Sequence, residues 1–236
     1  MNTSFTIVIE NRSAADAAFF VFQEQAGFAG LAEPKIFSNC LATGRLAPQD
    51  RSGAQLVVAL DRSVRAGATR RNQAIGGKRS AAPTRFGGAI VSRASASQPV
   101  VLATGSQADE PANAVTLAVD PLGLSAAVHR PGLGGDAFGL QVPPFAVEHR
   151  DDLCCGNAFL DENGLVILSS FVAPPPNVDL RISPVPVFYV RSGSAEVGRP
   201  VRYDTTHAAR CDFTSGRMVF AVRYNADGTF EPGDRL

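Results

Sequence analysis

CGNAFLDENGLVILSSFV, residues 155–172, sets two runs of apolar and β-branched residues on either side of Asp161-Glu162-Asn163-Gly164. A polar tetrad ending in glycine between two such runs reads as a tight hairpin, with Gly164 supplying a positive φ that other residues resist. Two consecutive antiparallel strands follow. The same grammar returns near the end of the chain, where RMVFAVRYN (217–225) runs into a turn over Asn225, Ala226, Asp227 and Gly228.

Working outward from this hairpin, short β-branched or aromatic runs recur between clusters of Gly, Pro, Asn, Asp and Ser. FTIVIE (5–10), AFFVFQE (18–24), IFSNCLA (36–42) and AQLVVALD (54–61) open the series. FGGAIVS (86–92), PVVLAT (99–104), AVTLAV (114–119), VDLRIS (178–183), PVFYVR (186–191) and VRYD (201–204) extend it. No window keeps a three-to-four residue apolar period for more than two turns, so helices are not expected. Pro174, Pro175 and Pro176 precede VDLRIS, and Pro184 and Pro186 follow it. Proline cannot donate to a ladder, so this strand is expected to be short or to lie at an edge. Residues 65–85, basic and glycine-rich, and 105–150, which include HRPGLGGDAFGLQVPPF (129–145), read as irregular insertions. With no repeat and no dividing linker, the expectation is an all-β antiparallel β-sandwich forming one domain over 1–236.

Composition narrows the function classes. Lys plus Arg equals Asp plus Glu at 22 each, which gives no net field to draw nucleic acid or an anionic membrane; neither is expected as a partner. No run of 18 apolar residues occurs, and MNTSFTIVIE lacks the layout of a secretory leader, so a soluble cytoplasmic chain is expected. Four cysteines (Cys40, Cys154, Cys155 and Cys211) are too sparse for a disulfide framework and fit a reducing compartment.

The strands at both ends resemble those of the RhiA-like family of bacterial and fungal proteins. The likeness rests on FTIVIENRS, FFVFQE and IFSNCLA within 5–42, and on GNAFLDENGLVILSSFVAPPPNVDLRISPVPVFYVRSG and VFAVRYNADGTF within 156–230. The resemblance implies a β-sandwich of about this length. It carries no catalytic residues, and 105–150 has no counterpart in it.

Several chemistries lack their motif. His149, Cys154, Cys155, His207 and Cys211 are zinc-type ligands, but H-x4-C-C and H-x3-C are not spacings that put two ligands on one centre, so no metal is expected. No G-x-S-x-G elbow accompanies the three histidines. GLGGDAFG (132–139) contains a loose dinucleotide fingerprint, yet it follows Arg-Pro and opens no helix; IGGKRS (75–80) lacks the first glycine of a P-loop. With no Trp and three Tyr, sugar stacking is disfavoured.

An apolar cavity between sheets, with Arg, His and Tyr as donors, would suit a cofactor-free cyclisation or isomerisation of an apolar conjugated small molecule, a pericyclase-like reaction. A non-catalytic ligand-binding or assembly protein is the alternative. The first demands a closed pocket with converging donors; the second predicts an exposed apolar patch or an open sheet edge. Tyr189 and Arg191 lie two apart and share a face, as do Arg202 and Asp204. The catalytic expectation is His207, Tyr189 and Arg191, with Arg202, Arg210, His149 and Arg85 as binding groups. HRDD (149–152) reads as the loop entering a strand on which Cys154 and Cys155 face opposite ways. FTIVIE, followed by polar ENRSAADA, is expected to pair in its own sheet or to cross to a partner chain in a homodimer.

Overall fold

The computed structural model describes residues 4–70, 95–103, 109–146, 152–161 and 163–233. These residues form an all-β architecture of four sheets that pack in two face-to-face pairs. In the first pair, one sheet has the order β19 (Phe230–Pro232), β18 (Val219–Tyr224), β1 (Ser4–Asn11), β6 (Gln55–Asp61). Its partner has the order β17 (Ala209–Asp212), β15 (Val187–Ser192), β2 (Ala17–Gln23), β5 (Ala42–Leu46). Alternation aims Ile7, Ile9, Val58, Leu60 and Val222 from one sheet at Phe19, Val21, Phe188, Val190 and Cys211 from the other.

The second pair is built from the middle of the chain. A five-stranded sheet runs β10 (Gly123–Leu124), β9 (Ala114–Ala118), β11 (Phe138–Val142), β14 (Val178–Ser183), β3 (Gly27–Ala29). It faces a six-stranded sheet, β16 (Pro200–Val201), β4 (Phe37–Asn39), β13 (Val166–Val172), β12 (Leu153–Leu160), β7 (Arg65–Arg70), β8 (Ser95–Pro99), across a core that includes Phe138, Leu140, Leu153, Val172, Leu180 and Ile182. Most ladders are antiparallel; β1–β18 and β9–β11 are parallel.

The β12–β13 hairpin joins the two cores. Its base contributes Leu153, Cys155 and Val172 to one, and its tip contributes Phe159 and Ile167 to the other. The register shifts between Asn157 and Ala158, a bulge that bends the hairpin where it passes from one core to the next. There Asn157 Nδ2 donates to Gln23 Oε1 and to Ser169 Oγ, both at 2.9 Å, and Gln23 Nε2 donates to Val185 O at 2.8 Å. At the tip, Asp161 Oδ1 accepts from the Asn163 and Leu165 amides, and Gly164 stands at φ 76°. Cys154 and Cys155 enter different clusters, on opposite faces of β12.

Some expectations need correction. Residues 65–70, read as loop, form β7 in the interior of the six-stranded sheet. Its small residues are required there: a Cβ on Gly67 would lie 2.4 Å from Ala158 Cβ and 2.7 Å from Leu168 Cδ2. AVTLAV forms β9 where a strand is expected, but the rest of 105–150 is not all insertion: β10 and β11 join β9 to make most of one sheet. The strand expected over 99–104 falls instead at Ser95–Pro99. IFSNCLA breaks after Asn39, because the chain leaves one sheet as β4 and enters another as β5. VRYD keeps only Val201 in a strand, so the two-apart argument for Arg202 and Asp204 loses its basis. β14 is short, as its prolines require, but lies between β11 and β3 rather than at an edge. FGGAIVS, Arg85 and His149 lie outside the described residues.

β1 pairs within its own sheet on both sides, with β18 over Thr6–Asn11 and with β6 over Ser4–Glu10. The polar stretch after it is a pinned turn rather than a hinge: Asn11 Nδ2 donates to Ala15 O and Leu46 O, and Asn11 Oδ1 accepts from the Ser13 amide. A homodimer through this strand would find neither of its ladder edges open.

Candidate functional site

Three of the expected residues of the C-terminal half, Tyr189, Arg191 and Arg210, lie on the outer face of the β17-β15-β2-β5 sheet. On β2 and β15, alternation sends Phe20, Phe22, Val187 and Tyr189 to this face while Phe19, Val21, Phe188 and Val190 enter the core. Ala195, Val201, Tyr203 and Ala208, from the segment leading to β17, cover it. The Phe22 ring stacks on Tyr189 at 5.4 Å and meets Tyr203 edge-on at 5.9 Å.

A carboxylate organises this layer. Glu24, just past the end of β2, accepts from Tyr189 Oη through Oε2 at 2.5 Å and from Tyr203 Oη through Oε1. Burial pushes both phenols up from their ordinary value, and the hydrogen bond and negative charge of Glu24 push the same way. Arg210, opposite Tyr189 in the ladder, acts against that shift on Tyr189 while its Nη1 holds Asp212 Oδ2 at 2.6 Å. Arg191 Nη1 lies 3.3 Å from Asp204 Oδ2. Asp204 is held below the usual carboxylate range, first by the Thr206 amide and hydroxyl and then by Arg191 and Arg202.

Tyr189 and Arg191 share a face of β15, and the ladder sets Arg210 of β17 opposite Tyr189. Arg202 and His207 are exposed, the latter in a turn at φ 56°. Glu24 and Tyr203 were missed as site residues, although Phe20, Phe22 and Glu24 at i, i+2 and i+4 already share one face of AFFVFQE. The cysteines carry no nucleophile: all four are buried, and burial raises the thiols of Cys40 to about 11 and Cys211 to about 12.

The raised phenols set an alkaline limit on stability. A tyrosine whose folded value lies above its unfolded value of 10.0 stabilises fully below that pH, and the contribution falls as pH climbs toward the folded value. Thermal unfolding is therefore expected to weaken progressively above pH 10, with Tyr189 and Tyr203 phenolate absorbance appearing late in the folded protein. Tyr203→Phe should flatten that decline and cost about 1–3 kcal/mol at neutral pH, because Glu24 loses a donor. Ordinary phenolate titration in the folded state, with the decline unchanged in the variant, would contradict this assignment.

A second feature adjoins the first. A half-open groove of about 980 Å³ runs between β17 and the β18–β19 hairpin, lined by Ala208, Ala209, Met218, Phe220, Val222 and Phe230, with Arg210 and Arg217 among its polar groups. Among the described residues, β19 pairs with β18 over Val222–Tyr224. Tyr189, Arg191 and His207 do not line it. No family model, no curated protein and no solved structure matches the chain.

Proposed function

We propose that the chain is a non-catalytic binding protein whose groove between β17 and β18–β19 takes an apolar ligand carrying an anionic group. The groove itself carries the reading. Its volume, about 980 Å³, is that of a small-molecule or short-segment site, its lining includes aromatic and aliphatic residues, and Arg217 and Arg210 are among the lining residues, the latter with its guanidinium on Asp212. A cofactor-free cyclase would need donors aimed at the reacting atoms. Tyr189 donates to Glu24 and Arg191 pairs with Asp204, both away from the groove, which favours binding over chemistry. The RhiA-like affiliation remains part of the proposal as a statement about architecture, supported by the strands at both ends of the chain.

Anilinonaphthalene sulfonate, an aromatic anion, is the probe. Saturable fluorescence enhancement is expected on the folded protein, weakened about tenfold by Arg217→Glu and unchanged by Arg45→Glu, which is remote from the groove. Thermal unfolding of each variant verifies that both are folded. Absence of saturable binding, or equal loss in the two variants, would overturn the reading.

A further inference from the structure

We propose that residues 193–208, which lead from β15 to β17, form a strap that opens as a unit while both sheet pairs stay folded, uncovering the aromatic layer and the thiol of Cys40. The inference stands apart from the groove. Burial carries it. No residue of the strap is buried, and Val197 is 42% exposed. Beneath it, Phe22 and Cys40 are fully buried and Phe20 and Tyr189 nearly so. Ala195, Val201, Tyr203 and Ala208 of the strap lie against that layer. A segment that hides other residues without being buried itself has few apolar contacts to lose, which places its opening at the low end of local stability.

The backbone marks both ends. Gly193 stands at φ 128° and His207 at φ 56°. A residue with a Cβ is penalised in that left-handed region, so the His207 turn is held by the contacts of the closed strap. Between these points lies β16, two residues paired with Ser38 and Asn39 and outermost in the six-stranded sheet among the described residues. Opening therefore strips a short outer strand and breaks no interior ladder. Two further attachments hold the strap down. The Cys40 amide donates to Arg199 O at 2.9 Å, and the Gly198 amide donates to Cys40 O at 2.8 Å. Tyr203 Oη donates to Glu24, and Arg191 pairs with Asp204 at 3.3 Å. Glu24 and Arg191 stay with the sheet, so Tyr203 and Asp204 act as the latch.

Cys40 makes the opening readable. It packs in the layer under the strap, whereas Cys155 and Cys211 belong to the two cores between sheets and Cys154 to a separate cluster with Leu168 and Phe171. Burial raises the Cys40 thiol to about 11, and exposure returns it toward its ordinary value, so the nucleophilic thiolate forms in the open state.

The experiment treats the native full chain with iodoacetamide and follows each thiol by peptide mass spectrometry. Cys40 is expected to label about tenfold or more faster than Cys154, Cys155 and Cys211, and the Cys40 and Gly198 amides to show matching hydrogen-exchange protection. Phe188→Leu weakens a core that the open form keeps, so it should speed the other thiols and leave Cys40 unchanged. Tyr203→Phe removes a bond that opening breaks, and should speed Cys40 by about tenfold. Equal labelling of all four thiols, or a Cys40 rate that rises with Phe188→Leu, would mean that Cys40 is reached only by global unfolding and would overturn the strap. Unequal protection of the two amides, or a Cys40 rate indifferent to Tyr203→Phe, would overturn it too, because the segment would then not move as one latched unit.

Discussion

Phe188→Ala is expected to lower the unfolding free energy by about 3–5 kcal/mol, the range for deleting a buried phenyl ring. Phe188 is 1% exposed on an interior strand and faces Phe5, Phe159 and Phe213 at ring-centroid distances of 6.1, 5.9 and 5.8 Å. These neighbours come from β1, β12 and the turn after β17, three elements anchored in separate ladders, so the site cannot collapse on the space left behind. Part of the loss is edge-to-face ring contact, which a Leu replacement would also forfeit while keeping most of the volume. Phe188→Leu is therefore expected to fall between wild type and alanine. Denaturant unfolding gives both values; a cost below about 1 kcal/mol for the alanine variant would mean that the ring is not where the two sheets close.

Gly156→Ala is expected to cost about 3 kcal/mol or more, at the upper end for overpacking. The added Cβ would lie 2.1 Å from Ser170 O and 2.7 Å from Phe171 Cα. Those atoms are backbone of β13, and Gly156 pairs with Phe171 in the ladder, so relief requires the strands to separate. Gly53→Ala is the comparison. Gly53 stands at φ 62° with open space around the position of its Cβ, so only the left-handed backbone is penalised, by about 1–2 kcal/mol. If the two substitutions shift the denaturation midpoint equally, the close approach of β12 to β13 is not as described.

The hairpin from which the fold was read, and β1, β2 and β18, were legible because their apolar runs are flanked by turn residues. β7 and β11 were not, and for the same reason: each carries a glycine within the strand rather than at a turn. At Gly67 the neighbours are Ala158 and Leu168; at Gly139 a Cβ would meet Arg130 Nη1 at 3.0 Å. A local rule that treats glycine as punctuation reads such strands as loops. On the candidate site, alternation set Tyr189 and Arg191 on one face, but Arg210 joins them only through the β15–β17 ladder, and Glu24 stands 165 and 179 residues from the two phenols it binds. No window of sequence spans that distance. The groove was out of reach for another reason: its lining comes from β17, β18 and β19, brought together by the packing of two different sheets.

The hairpin shared by the two cores bears on how such a chain can change over generations. Its base belongs to one sheet pair and its tip to the other, with Asn157 and Gln23 bonded at the crossing. A recombination event that exchanged either half would carry away only part of β12 and β13 and leave the remaining core missing a wall. Neither sheet pair is a portable module, because each takes a wall from the same hairpin.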